Sequence, residues 1–385
     1  MKDCISILGM SSVSALGQQP KQVWQSYESG KPVFSTMESL GKQVTVSKVS
    51  EQVEQQLTSI KNSSSNFKRL DRSVILAILA ARNSVSGLND LNGRWGINLG
   101  SSRGATELFE GYLKDFDQNK KAKTLASPTT TLGNISTRVA QDLHINGMTL
   151  AHSVTCATAM HAVLNGVAWL KSEMVDAMLV GGAEAPLTPF TIAQMEALKL
   201  YSKETGEYPC RALDLDKTSN TMVLGEAAAT SVLVRGQHPE AQALISGYGW
   251  GSETLDHHTS LSKNADCFQQ SMKQALVAAE LETVDAIVMH APGTILGDKA
   301  ELEAIRTIFG NKIPFLATNK TLVGHTLGAS GMLSMELGVQ FLNHNSLISN
   351  PFYKQTSSKI KPVQTVLVNA VGFGGNAVSL VLSKA

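Results

Sequence analysis

One cysteine, two histidines and one lysine stand where the chain pattern changes abruptly. Cys156 lies between the apolar segment "MTLAHSV" (148–154) and the Ala-rich segment "ATAMHAVLNGVAWLKSE" (157–173). The first reads as a strand and the second as a long helix. A side chain at that junction is presented on a sharp turn. Unpaired first-turn N–H groups and the positive end of the helix dipole both favour a thiolate, so the spacing predicts a lowered pKa and a nucleophile. The same N–H groups suit a developing oxyanion. The alternative is a small buried hydrophobe, which most free cysteines are, and spacing alone leaves the two readings about even. Cys4, Cys210 and Cys267 have no such setting and read as buried. His290 ends the strand "AIVMH" before the turn "APGT", and His325 lies in "NKTLVGHTLGASG" among glycines. Lys320 stands five residues before His325, at the end of the strand "PFLATN". Taken singly, each reads as structural. Together, Gly-flanked strand-end turns each present a reactive side chain at the rim where α/β sheets bind ligands.

The elements that must hold these turns alternate along the chain. "CISILGM", "RWGINLGSS", "DAMLVGGAEA" and "AAATSVLVRG" read as strands. "PKQVWQSYESG", "DRSVILAILAARNSV" and "NISTRVAQDL" read as helices, the first with Pro20 near its start and Gly30 past its end. The second half repeats the pattern. "ALISGYGWG", "VDAIVMHAPGT" and "PFLATNK" are expected as strands, with helices over "DCFQQSMKQALVAAEL", "DKAELEAIRTIFG" and "GASGMLSMELGVQFLNHN". "TVLVNAVGFGGNAVSLVLSKA" reads as two strands joined by a Gly-rich turn. Continuous apolar strands imply helices on both faces of a sheet. The polar stretch "RGQHPEAQ" (235–242) is the best internal boundary, giving halves 1–235 and 236–385.

Composition narrows the class. A chain of 385 residues exceeds the usual ceiling for one hydrophobic core. Its net charge of +1 lacks the basic bias of nucleic-acid or membrane-surface binders. The cysteines form no C-x-x-C pair or metal-like spacing, and the His257–His258 pair lacks a third ligand, so neither a disulfide framework nor a metal site is expected. The N-terminus reads as a first strand rather than a signal peptide, and no apolar run suits a membrane span, so a reduced cytoplasm is the expected setting.

Several segments taken together resemble the β-ketoacyl-[acyl-carrier-protein] synthase family in its elongating Cys-His-His form, over nearly the whole chain. "TCATAMHAV" resembles the nucleophile segment and assigns Cys156. "HAPGTILGDKAELEAIRTIFG" assigns His290, and "NKTLVGHTLGASG" assigns Lys320 and His325. "VLVNAVGFGGNAVSLVL" resembles the C-terminal Gly-Phe-Gly-Gly segment, and "VGGAEAP" and "VLGEAA" support the match. The resemblance implies a thiolase-like, five-layered α/β/α/β/α fold with two similar halves, assembled as a homodimer or a ketosynthase heterodimer. It implies a decarboxylating Claisen condensation of acyl and malonyl groups carried on an acyl carrier protein, in fatty-acid-like, polyene or polyketide elongation. Cys156 and Phe373 would form the oxyanion hole, and Gly372 and Phe373 would border the substrate. A non-catalytic, chain-length-factor-like subunit is the alternative, against which Cys156 argues. A thiolase would need a second cysteine near "GFGG", and none is there.

The chain also departs from the family pattern. Ala291-Pro292 replace the usual Gly-Thr, removing a hydroxyl from the path of the phosphopantetheine arm, while Thr294 is retained. Ser334 replaces a glutamate expected to hold the lysine, and Glu336 is expected on another side of the helix. Met222 occupies a position that often lines the acyl pocket. Arg103, in "GSSRG", stands where an apolar residue near the pocket floor is usual, which argues against a long plain alkyl chain. The other reading of Arg103 turns it outward to a partner subunit.

Overall fold

The computed structural model describes residues 4–88, 93–254, 261–355 and 362–385; the His257–His258 pair lies outside them. The first half supplies β1 (Ile5–Val13), α1 (Pro20–Ser29), the hairpin β2 (Ser35–Ser39) and β3 (Lys42–Val46), α2 (Glu51–Asn62) and α3 (Arg72–Val85). It continues with β4 (Trp95–Gly100), α4 (Thr106–Asn119), α5 (Ala126–Thr130), α6 (Asn134–Asp142), β5 (Met148–Leu150), α7 (Thr158–Lys171), β6 (Ala177–Glu184), α8 (Pro189–Ala197) and β7 (Ala227–Arg235). The second half supplies β8 (Ala243–Ser252), α9 (Asp266–Ala278), β9 (Ala286–Val288), α10 (Ile295–Phe309), β10 (Phe315–Ala317), α11 (Lys320–Val323), α12 (Ser330–His344), β11 (Thr365–Gly372) and β12 (Asn376–Ser383).

Local signals explain the ends of these elements. Pro20 opens α1 with its fixed φ, and Gly30 closes it at φ 63, in the left-handed region. Asp71 caps α3 by accepting the Ser73 N–H. Ser50 caps α2 by accepting the Val53 N–H, and Val53, Leu57 and Ile60 give that helix one buried stripe.

The strands form two five-stranded sheets, β1-β7-β6-β4-β5 and β8-β12-β11-β9-β10. They correspond strand for strand. In the first, β1–β7 and β7–β6 are antiparallel, while β6–β4 and β4–β5 are parallel. In the second, β8–β12 and β12–β11 are antiparallel, while β11–β9 and β9–β10 are parallel. Helices α7 and α12 pack between the sheets, where Met160, Val163, Met332 and Leu337 meet Val180 and Val368. On the outer face of the first sheet, Val74 and Ile78 of α3 and Val139 of α6 cover Ile97 and Leu179. On the second, Phe268 and Met272 of α9 and Leu302 of α10 cover Ile287 and Leu367. This is the five-layered α/β/α/β/α arrangement expected from the sequence.

Three strands are shorter than their apolar runs. β5, β9 and β10 each span three residues, because the chain leaves the sheet early to build the turns that carry Cys156, His290 and Lys320. Among the described residues, no helix is long and apolar enough to cross a membrane.

Candidate active site

The turns after β5, β9 and β10 face one cavity of ≈ 270 Å³. Cys156, His290 and His325 line it, together with Met222, Thr294 and the run Gly372–Gly375. The two imidazoles stand edge to face, with ring centroids 5.2 Å apart at 86°. Residues 134 positions apart in sequence, Cys156 and His290, thus share one wall system.

The cysteine turn is strained and clamped. Thr155 has φ 48, unusual for a β-branched residue. The Thr158 hydroxyl accepts the Val154 N–H at 2.9 Å and donates to the Thr155 carbonyl at 2.6 Å. The Thr155 hydroxyl donates to the Phe373 carbonyl at 3.3 Å. Gly372 makes that approach possible: a Cβ there would lie 1.9 Å from Thr155 Oγ1 and 2.6 Å from the Val154 carbonyl oxygen. The backbone that precedes Phe373 is therefore carried directly onto the cysteine turn.

The lowered pKa expected for Cys156 is not found. Burial, and then the Glu184 carboxylate, push the thiol up to about 12, against the opposing pull of Lys320, Arg103 and its own N–H. Cys156 is only 6% exposed, and α7 begins two residues later at Thr158. Desolvation outweighs the helix terminus, so the resting group is a neutral thiol.

The histidine turns are held by their main chain. Glu301, fully buried, accepts the His290 N–H at 2.9 Å, the Ala291 N–H at 2.8 Å and the Asn369 side-chain amide at 3.1 Å. His325 is threaded against segment 223–225, donating its N–H to Val223 at 2.7 Å and accepting that of Gly225 at 3.1 Å. Burial, then the nearby positive charge of Lys320, holds His325 down to about 3. Burial, His325 and Lys320 together hold His290 well below the usual imidazole range. Both rings are therefore neutral. The Nδ1 atoms of both are buried and have no hydrogen-bond partner among the described residues.

Lys320 lies behind the cavity rather than on its wall. It is 1% exposed and donates to Asn319 Oδ1 at 2.9 Å and to Ser334 Oγ at 3.2 Å. Burial lowers its pKa to about 8, with Glu301, Cys210, Cys156 and Asp298 pulling upward. Ser334 thus holds the lysine with a hydroxyl. Glu336 points elsewhere and accepts the Ser12 hydroxyl at 2.6 Å.

The other anticipated residues divide. Met222 lines the cavity and is fixed by main-chain bonds to Leu200 and Ser202. Thr294 lines it too, but its hydroxyl accepts the Gly297 N–H at 3.2 Å as the cap of α10. Phe373, 36% exposed, stands at the mouth. Arg103 does not line this cavity; it sits on the turn after β4, bonded through Nη2 to Gln194 Oε1. Two glutamates were not singled out from the sequence. Glu301 falls within "GDKAE" and Glu184 within "VGGAEAP", so the segments were visible while their roles as clamps on backbone N–H groups were not. Among the described residues, no group of three or more His, Cys, Asp or Glu side chains could hold a metal.

Fold and site together describe a condensing enzyme built on two like halves. The chain belongs to the β-ketoacyl synthase family: the model of its N-terminal domain matches residues 2–238 and that of its C-terminal domain matches residues 242–352. The 3-oxoacyl-[acyl-carrier-protein] synthase 2 of Coxiella burnetii is 27% identical over 411 aligned positions, covering 99% of this chain and 98% of that one. The 3-oxoacyl-[acyl-carrier-protein] synthase 1 of Haemophilus influenzae is 26% identical, covering 98% of each chain. Among solved structures, the ishigamide ketosynthase/chain length factor superposes with a TM-score of 0.87 at 22% identity, covering 100% of both chains.

Proposed function

We propose that this cavity is the active site of a 3-oxoacyl-[acyl-carrier-protein] synthase, with Cys156 as nucleophile and His290, His325 and Lys320 as its partners. The observation that carries this reading is the convergence of one thiol and two neutral imidazoles on one cavity, with a buried ammonium behind them. The family and the names of the relatives point to the reaction, and the shared cavity supports the proposed roles.

In the first stage the Cys156 sulfur attacks the carbonyl of an acyl thioester. A neutral imidazole takes the thiol proton, which a pKa of about 12 keeps in place until then. The oxyanion rests on the N–H groups of Cys156 and Phe373, the carrier thiol leaves with a proton, and the acyl group stays on Cys156. In the second stage a malonyl thioester loses CO₂. The electron pair left behind forms an enolate, whose oxygen accepts N–H bonds from His290 and His325. Such donors contribute about 3 kcal/mol each when aimed at developing charge. The enolate carbon attacks the acyl-Cys156 carbonyl, the Cys156 thiolate is expelled, and it takes a proton from solvent in place of the one that left with the carrier thiol. Burial, with Lys320 disfavouring a second positive charge nearby, keeps both imidazoles neutral donors.

The carrier is an acyl carrier protein delivering phosphopantetheine-linked groups, and the setting is the cytoplasm. Residues 1–235 and 236–385 act as two units of one duplicated frame. A second subunit, identical or ketosynthase-like, fits against the open edge strand β5, where Met148 and Leu150 are exposed. Pro292 and Arg103 favour a specialised pathway over general fatty-acid elongation.

The test is mass spectrometry of the protein after incubation with a panel of acyl-carrier thioesters. The expected result is one acyl mass on the peptide containing Cys156, released by hydroxylamine and missing in Cys156→Ala. If no carrier transfers an acyl group, the synthase reading fails, and the non-catalytic partner subunit becomes the better account.

A further inference from the structure

The turn after β4, residues 101–104, is built as carefully as the turns that carry the proposed catalytic side chains. Glu184, fully buried, accepts the Ser101 hydroxyl at 2.8 Å and the N–H groups of Ser102 at 2.7 Å, Arg103 at 3.2 Å and Gly328 at 2.9 Å. Gly328 lies so close that a Cβ there would sit 2.5 Å from the Ser102 nitrogen. Its neighbour Leu327 lines the cavity. The guanidinium is bonded to Gln194, whose neighbour Met195 also lines the cavity and packs with Cys156 and Leu327. In the second sheet, the corresponding turn after β9 carries His290.

The guanidinium is half-buried, and among the described residues it takes part in no ion pair. Its Nε is buried without a hydrogen-bond partner. Arg72, also partly buried in this half, shows the usual solution: it is paired with both Glu54 and Glu226 at 2.6 Å. A cation and an N–H withdrawn from water without an anion are costly unless something supplies an acceptor. A guanidinium fork suits a carboxylate or a carbonyl oxygen.

We propose that Arg103 is a specificity-determining residue of the acyl site, selecting acyl chains that carry a hydrogen-bond-accepting oxygen, keto or carboxylate, beyond the thioester carbonyl. The inference rests on the synthase reading above and narrows it. Arg103 stands behind the wall that Met195 and Leu327 form, and an unadorned alkyl chain pushed past that wall would leave Nε unpaired and cover the charge with hydrocarbon. An oxygenated chain would replace the missing acceptor. Gln194, a neutral partner, holds the guanidinium in place without neutralising it.

The experiment compares hexanoyl, 3-oxohexanoyl and adipyl pantetheine as acyl donors to Cys156, read by intact mass against time. At least one oxygenated donor should load about tenfold faster than hexanoyl, equivalent to about 1.4 kcal/mol. In Arg103→Leu that preference should fall to about one. In Arg103→Lys the preference for adipyl should persist more than that for 3-oxohexanoyl, because charge is kept while the fork is lost. Gln194→Leu, which leaves the guanidinium intact, should show an intermediate loss and keeps the question answerable if Arg103→Leu does not fold. A wild-type preference for hexanoyl, or a ratio unchanged in the variants, overturns the inference. So does an unchanged ratio accompanied by weaker self-association of Arg103→Leu in sedimentation, which would assign Arg103 to a subunit contact. Loading without discrimination defeats this inference alone; no loading of any donor in the wild type defeats the synthase reading and this inference with it.

Discussion

The two halves share a strand order, a set of strand directions and a helix between the sheets, yet they present different chemistry from matching places. Cys156 follows β5 and precedes α7; His325 follows β10 and precedes α12. β5 is exposed along its length at the edge of the first sheet, whereas β10 is largely buried. Each half also uses one fully buried glutamate as a clamp. Glu184 gathers three backbone N–H groups and a hydroxyl; Glu301 gathers two backbone N–H groups and an amide. Burial outweighs the pull of these donors and leaves both acids raised to about 7. The frame decides where a side chain is presented. The residue placed there, and the charge around it, decides what it does.

Replacing the proposed nucleophile breaks the pairing of the halves most completely. Cys156→Ala should abolish acyl loading, with condensation falling on the order of 10³-fold or more, measured by product formation from acyl and malonyl carriers. The second half should respond in a different step. His290→Ala and His325→Ala should each slow decarboxylation of malonyl thioester by about 10²–10³-fold, measured as CO₂ release. The double variant should be no worse than about the poorer single one, because the two donors act on one oxygen.

Smaller effects test the joint between the halves. Gly372→Ala should destabilise the fold by about 1–3 kcal/mol, seen in chemical denaturation, because its methyl overlaps the Thr155 hydroxyl. Glu184→Gln should cost about 1–3 kcal/mol by setting an amide donor against N–H donors, and Glu301→Gln somewhat less because fewer donors depend on it.

The subtlest test is of pH. Lys320 is charged below about 8 and neutral above it. Its positive charge also favours the negative charge that develops on the enolate, so the decarboxylation rate should decline as pH rises through about 8. Ser334→Glu places an opposite charge beside the ammonium, so it should raise the lysine pKa and move that decline upward by about one pH unit.

Much of this was legible in the sequence, and the failures have physical causes. The central helices and strands were read because buried elements are nearly continuous apolar runs, as in α3 and β7. The hairpin of β2 and β3, and helices α2, α4, α5, α8 and α11, leave a weaker trace in the sequence. β2 and β3 are mostly exposed, α4 buries only Thr106, and α5, α8 and α11 are short. Cys156 was found by its junction, but its protonation was misjudged. The helix terminus is a local feature that sequence displays, whereas burial under residues far along the chain is not. For the same reason Ser334 left the anchoring of Lys320 open, and only the packed α12 shows a hydroxyl doing what a carboxylate was expected to do.

The hydrogen bond between Thr155 and Phe373 spans 218 positions of sequence. During synthesis the thiol-bearing turn is made long before the strand pair that closes over it. Until β11 arrives, only the local Thr158 clamp holds Thr155 in its strained conformation, and the apolar faces of α7 and the first sheet lack their cover. The cavity is therefore completed late in the life of each molecule, and a partly made chain exposes Cys156 before the backbone of Phe373 closes over it.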